Sequence, residues 1–143
     1  MMNRALFISI KPEFVSKIFS GEKTIELRKL APKINVDDTI ILYSTSPVMA
    51  VIGICKVEKI IISTPLTIWE KNSDLLGIDK IRYNQYFQDK TKAVAIFLKD
   101  IEKLKNPIPL AVLKSKYANF HPPQTYRYFN TEQFENLFKQ INI

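Results

Sequence analysis

Apolar and polar positions change period several times along the chain, and each change predicts an element. Ala5 to Ile10 is a short apolar run suited to a buried strand. Pro12 then opens a helix at its first turn, where the missing N–H costs nothing. Phe14, Val15, Ile18 and Phe19 follow at helical spacing, and Gly21 stands where a C-cap is needed. From Glu22 to Arg28 the period shortens to two. Ile25 and Leu27 share one face, and Thr24, Glu26 and Arg28 share the other. Pro32 ends that strand and Asp37-Asp38 marks a turn. Thr39 to Ser44 reads as a second buried strand, with Ser46-Pro47 as its turn. Val48 to Ile62 is long and rich in β-branched residues, and Gly53 inside it suggests a bend or bulge.

The period then changes again. Thr64 suits a helix cap with Pro65 at N1, Leu66 and Trp69 as the inner face, and Gly77 as the stop. Asp79 suits the cap of a second helix with Tyr83, Tyr86 and Phe87 inside, so residues 64–89 read as a helical insertion. Ala93 to Leu98 predicts a buried strand, Ile108 to Leu113 an irregular or short strand, and Thr125 to Phe129 a last strand. A final helix is expected over 131–141, capped by Thr131, with Phe134, Leu137, Phe138 and Ile141 on one face. The early strands are joined by turns too short for parallel crossovers. The expected architecture is α+β: a mostly antiparallel, barrel-like sheet with helices packed outside.

Length and composition narrow the classes. The 143 residues suit one domain, and 46% hydrophobic with 24% charged residues is ordinary globular composition. The N-terminal apolar run is too short for a signal peptide, and nothing approaches the length of a membrane span. With the single cysteine, Cys55, precluding an internal disulfide, a reducing, cytoplasmic setting is expected. One cysteine and one histidine, His121, argue against a zinc site, and no cofactor is expected; a carboxylate-bound magnesium stays open. Net charge is +7, and the excess lies in the two flanks rather than in 61–89. That favours an anionic partner.

Gly21-Glu22-Lys23-Thr24-Ile25-Glu26-Leu27-Arg28 holds the most telling chemistry. A helix end delivers the chain into a strand with polar groups on one face. Lys23 and Arg28 are cations, and a guanidinium can grip a phosphate or a base edge bidentately. Glu26 suits either a hydrogen bond to a base or proton transfer. The same groups equally suit ordinary ion pairs on a solvated strand.

Phe7-Ile8-Ser9-Ile10-Lys11-Pro12, a helix, and then GEKTIELRK resembles the opening of ASCH domains, whose hallmark is G-x-K-x-x-E-x-R after the first helix. Tyr43 to Pro47, Val51-Ile52-Gly53 and Leu66 to Glu70 resemble further family segments in order. His121-Pro122-Pro123-Gln124-Thr125-Tyr126-Arg127-Tyr128 is similar to the Pro-Pro-Gln-Ser-x-Arg-Tyr signature of a small prokaryotic stand-alone subgroup. The resemblance implies a PUA-like barrel with a cleft between the first helix and the sheet, and a ligand that is RNA, a modified base or a nucleotide. Proteins like this one are described as predicted regulators of transcription or translation, so the resemblance implies such a role; among family members that are enzymes, one type deacylates acetylated cytidine, and another cuts RNA. The deacylating type carries Lys-x-x-Thr and a later glutamate. Here Lys23 is kept, Glu26 replaces the threonine, and Glu70 corresponds to the later glutamate, so that pattern is not retained.

A second feature is independent of the resemblance. From Lys103 to Thr131 no acidic residue occurs, and Lys103, Lys105, Lys114, Lys116 and Arg127 interleave with Tyr117, Phe120, Tyr126 and Tyr128. Cations for phosphates and rings for bases suit single-stranded nucleic acid, while aromatic core and solvated lysines would give the same pattern. His121 reads as a surface residue, Trp69 as core, and Cys55 as a small buried hydrophobe.

These readings rank three functions. The first is a binding module: Lys11, Lys23, Thr24 and Arg28 on phosphate or base, Glu26 on a base edge, Tyr126 and Arg127 on the far wall. RNA or a nucleotide is the expected partner, duplex DNA less so, and no membrane. The alternative is a nucleic-acid-processing hydrolase with Lys23 and Glu26 as an acid/base pair, and Glu70 as a further candidate. The third is a domain for a protein partner or small effector.

Overall fold

A computed structural model describes residues 4–138. Six strands form one sheet: β1 (Ala5–Ile10), β2 (Ile25–Arg28), β3 (Thr39–Ser44), β4 (Ala50–Ser63), β5 (Ala93–Pro109) and β6 (Tyr126–Phe129). The helices are α1 (Pro12–Ser20), α2 (Pro65–Asn72), α3 (Lys80–Tyr86), α4 (Leu110–Lys116) and α5 (Thr131–Phe138), with a short 3-10 turn at Ser73–Leu75. The spatial order is β2-β5-β4-β3-β1-β6. Among the described residues only β1 and β3 pair in parallel; the other pairings are antiparallel. The sheet curls into a half-barrel of the PUA-like type, with β2 and β6 as its two edges.

β1 is buried at every position because it is covered on both faces. Leu6, Ile8 and Ile10 pack with Val15 and Ile18 of α1 inside the curl. Ala5 and Phe7 pack outward with Leu113, Phe120 and Leu137. A third cluster joins Ile25 and Leu27 of β2 to Ile68, Tyr83 and Phe87 of the helical insertion. The alternation of β2 therefore sends its apolar residues outward under α2 and α3. Glu26 and Arg28, opposite Ile96 and Val94, face the concave side.

Several expected signals hold. Gly21 ends α1 at φ 87°, in the left-handed region that suits glycine. Thr64 and Asp79 cap their helices by accepting from Thr67 N and Arg82 N. Gly53 sits where the β3–β4 and β4–β5 registers shift. A Cβ there would lie 2.5 Å from both Glu102 O and a Phe19 ring carbon, so backbone and ring approach too closely for any side chain.

Other expectations change. Val48 and Met49 precede β4 as an exposed turn. Leu66 is 63% exposed, and Ile68 takes the buried place beside the half-buried Trp69. β5 runs on to Pro109, and Leu110–Lys116 is a helix rather than an irregular strand. Pro107 is tolerated because the register skips there: Gly53 faces Lys103 while Val51 faces Ile108. The last helix is headed by Asn130, which exchanges reciprocal side-chain hydrogen bonds with Gln133, instead of by Thr131. Ile141 lies outside the described residues.

Candidate functional site

The open seam of the half-barrel is where the polar chemistry collects. At its edge, Arg28 donates to Ser9 O at 3.2 Å and lies 3.5 Å from Thr125 O, so one side chain ties β2 to β1 and to the segment before β6. Beside it opens a cleft of about 860 Å³, floored by β1 and β2 and walled by α1, α3 and the segment entering β6. A second hollow of about 450 Å³, between α2 and α3, has Leu66, Trp69, Tyr83 and Phe87 in its lining and no carboxylate.

The cleft floor is an ion network. Glu26 is 7% exposed and Lys23 3% exposed. Glu26 Oε2 accepts from Arg28 Nη2 at 2.6 Å and from Arg28 Nε at 3.0 Å, while its Oε1 lies 3.7 Å from Lys23 Nζ. Lys23 donates to Leu76 O at 2.8 Å and sits 5.3 Å from the Phe14 ring centre. Burial pulls its pKa below the ordinary 10.5; the Glu26 charge opposes that fall and the Arg28 charge adds to it. Here the buried cation is held less firmly to its proton than a surface lysine, next to a carboxylate that stays paired with Arg28.

Local sequence explains the burial. Lys23 precedes β2 and bridges Leu76 rather than β5. Gly77 makes the crossing possible: at φ 63°, a Cβ on it would lie 2.6 Å from Lys23 Cβ. The end of the helical insertion thus closes over Lys23. Burial inside the curl of the sheet pushes the Cys55 thiol up to about 12, with the Glu26 charge adding to it, so this cysteine is an inert core group.

Around the floor, the rim is wetter. Lys11 and Lys29 are exposed, and Lys29 Nζ stands 4.6 Å from the Tyr86 ring centre. Arg82 of α3 reaches α1, donating to both oxygens of Glu13 at 2.9 and 2.8 Å, and also bonds Asp79 at 2.6 Å. Tyr86 and Tyr126 add rings to the lining. Burial raises the Tyr86 and Tyr126 hydroxyl pKa values, so both are uncharged donors near neutral pH.

Of the residues singled out from sequence, Lys11, Lys23, Glu26, Arg28 and Tyr126 line one cleft. Three do not join them. Thr24 is held by its backbone between Leu75 and Leu98. Glu70 is exposed on α2, outside the cleft lining. Arg127 points to the opposite sheet face, its guanidinium 5.1 Å from the Phe120 ring centre and 5.6 Å from that of Phe129. The bidentate grip expected of Arg28 is also taken, since its donors already serve Glu26, Ser9 and Thr125. Sequence reasoning passed over Phe14, Lys29, Arg82 and Tyr86, and read Gly77 only as a helix stop. Phe14 and Tyr86 carried a signal, as aromatics at helical spacing, but that pattern also describes core. Among the described residues no group of three or more His, Cys, Asp or Glu side chains is placed to hold a metal.

Comparison with known proteins agrees with this fold. The ASCH domain profile matches residues 8–104. An ASCH domain-containing ribonuclease of Zymomonas mobilis is 35% identical over 130 residues, covering 91% of this chain and 87% of its own. The crystal structure of ASCH from Zymomonas mobilis superposes with a TM-score of 0.90 at 34% identity, over 95% of this chain and 94% of that one. The N-terminal domain of Staphylothermus marinus McrB shares the fold at a TM-score of 0.63 and 12% identity, covering 95% of this chain and 93% of its own. Profile, sequence and fold converge: the chain belongs to the ASCH domain family.

Proposed function

We propose that this protein is a ribonuclease that takes single-stranded RNA into the cleft and cleaves a phosphodiester bond there. The sequence alone ranked a binding module first; the similarity to a named ASCH domain-containing ribonuclease moves the hydrolytic reading ahead of it. The observation that carries it is the Lys23–Glu26–Arg28 network on the cleft floor. Lys23, whose lowered pKa favours its unprotonated form, is the group suited to take the proton of the RNA 2′-hydroxyl as that oxygen attacks phosphorus; the bond to the 5′-oxygen breaks, that oxygen takes a proton from water, and a 2′,3′-cyclic phosphate is left. Glu26 positions Lys23 and balances its charge when protonated. Lys11 and Lys29 at the rim hold neighbouring phosphates, and Tyr86 and Tyr126 offer rings to unstacked bases.

The test is a labelled single-stranded RNA beside the same strand carrying one 2′-deoxynucleotide at the cut position. The expected result is cleavage of the first and protection of the second at that position. An RNA left intact by the purified protein, under conditions where it binds, returns the assignment to a binding module.

A further inference from the structure

The cleft opens at one end onto a strip of surface that the site described above does not use. Tyr126 and Tyr128 lie on the same face of β6, with ring centres 5.8 Å apart. Tyr126 is inside the cleft, and Tyr128, 36% exposed, is one strand repeat farther out. The Arg4 guanidinium stands 5.1 Å from the Tyr128 ring centre. Across the seam, the loop from β2 to β3 comes up to this strand: Tyr128 Oη accepts from Lys33 N at 2.7 Å. That loop carries Lys29 and Lys33 exposed, with Leu30 76% exposed between them. Both banks are free of carboxylates over long stretches, from Leu27 to Val36 on one and from Lys103 to Thr131 on the other. A run of flat rings and cations on an exposed edge, without opposing charge, is the surface that a single strand of nucleic acid needs on leaving a cleft.

We infer that the strip Tyr126–Tyr128–Arg4, with Lys29 and Lys33 opposite, is a track for the nucleotides flanking the one in the cleft. A base stacks on Tyr128 and Arg4, and the backbone passes the lysines. This rests on RNA being the ligand, and it adds a substrate class: single strands of several nucleotides, bound more tightly than a dinucleotide that fills the cleft alone.

The experiment measures binding of labelled 2′-O-methyl RNA of two, four and six nucleotides, which reports affinity without cleavage. The unaltered protein, Arg4→Ala, Tyr128→Phe and Tyr128→Ala are compared, each after a thermal melt. Affinity is expected to rise with length, and Tyr128→Ala to remove about 10-fold of that rise while leaving the dinucleotide unchanged. Tyr128→Phe, which keeps the ring and loses only the hydroxyl bonded to Lys33, should retain most of it. Arg4→Ala, an exposed change, should lower affinity for the hexamer and leave the dinucleotide unchanged. A length dependence untouched by Arg4→Ala and by Tyr128→Ala overturns the track. Tyr128-dependent binding by a protein that leaves RNA uncut supports the track and sinks the nuclease reading. Cleavage with no Tyr128 dependence does the reverse, and no binding at low salt at any length overturns both.

Discussion

Two ion networks border the same cleft and differ in one physical variable. On the floor, Lys23, Glu26 and Arg28 have side chains only 4%, 9% and 11% exposed. On the rim, Glu13 and Arg82 are 45% and 43% exposed. The rim pair has the better geometry, two parallel N–H···O bonds from one guanidinium to one carboxylate. Water and salt nonetheless screen it, and such pairs add little to stability. The floor network has a long 3.7 Å contact between Lys23 and Glu26, yet breaking it leaves a charge stranded away from water. Good geometry at the surface gives an adjustable latch between α1 and α3. Burial in the interior gives one lysine, Lys23, that holds its proton less firmly than a surface lysine, which suits it to proton transfer.

The contrast can be broken in order of expected effect. Glu26→Ala strips the shared partner from two buried cations and is expected to cost about 3–5 kcal/mol of unfolding free energy by urea titration, and all cleavage. A loss under about 1 kcal/mol would mean that water already reaches the floor. Gly77→Ala comes next. It adds a Cβ 2.6 Å from Lys23 Cβ at a positive φ, so about 1–3 kcal/mol of destabilisation is expected, with cleavage impaired through displacement of Lys23.

With the folded pKa of Lys23 lowered from 10.5, the unfolded chain holds the extra proton in the window between the two values. Stability attributable to this group therefore rises as pH climbs through that window, and its penalty is fully present below it. Lys23→Met, which leaves Glu26 paired with Arg28, should abolish that rise when urea midpoints of the two proteins are compared from pH 7 to 10.5. Parallel curves would place Lys23 in water. The smallest effect belongs to the rim. Glu13 is held down at about 2, first by its bond to Arg82, so its contribution is complete above the ordinary 4.5 and is lost as pH falls through that interval. Glu13→Gln should flatten the acid limb of the melting temperature slightly, and high salt should erase the difference. An effect that survives 1 M salt would show that the latch is not the screened pair its exposure indicates.

Much of this arrangement is legible in the order of residues, because periodicity and capping are local. Lys11-Pro12 announces α1, Gly21 its end, and the alternation of Ile25 to Arg28 the two faces of β2. What escapes depends on distant contacts. Nothing near Lys23 in sequence signals that Leu76 and Gly77 will cover it. The helix at Leu110–Lys116 is hidden because Leu110, Val112 and Leu113 read equally as a strand until the skip in register at Pro107 ends β5. Arg127 is a different case. Alternation alone separates it from Tyr126, and the structure puts it over Phe120 and Phe129, away from the cleft.

The role of Lys23 in cleavage is tested most directly by single-turnover cleavage of labelled single-stranded RNA by the protein and by Lys23→Met and Glu26→Gln, with thermal melts of all three. Cleavage by the first is expected, with loss of at least about 100-fold in both variants and melts that show them folded. Undiminished cleavage by folded Lys23→Met would contradict that role and place the chemistry elsewhere in the molecule.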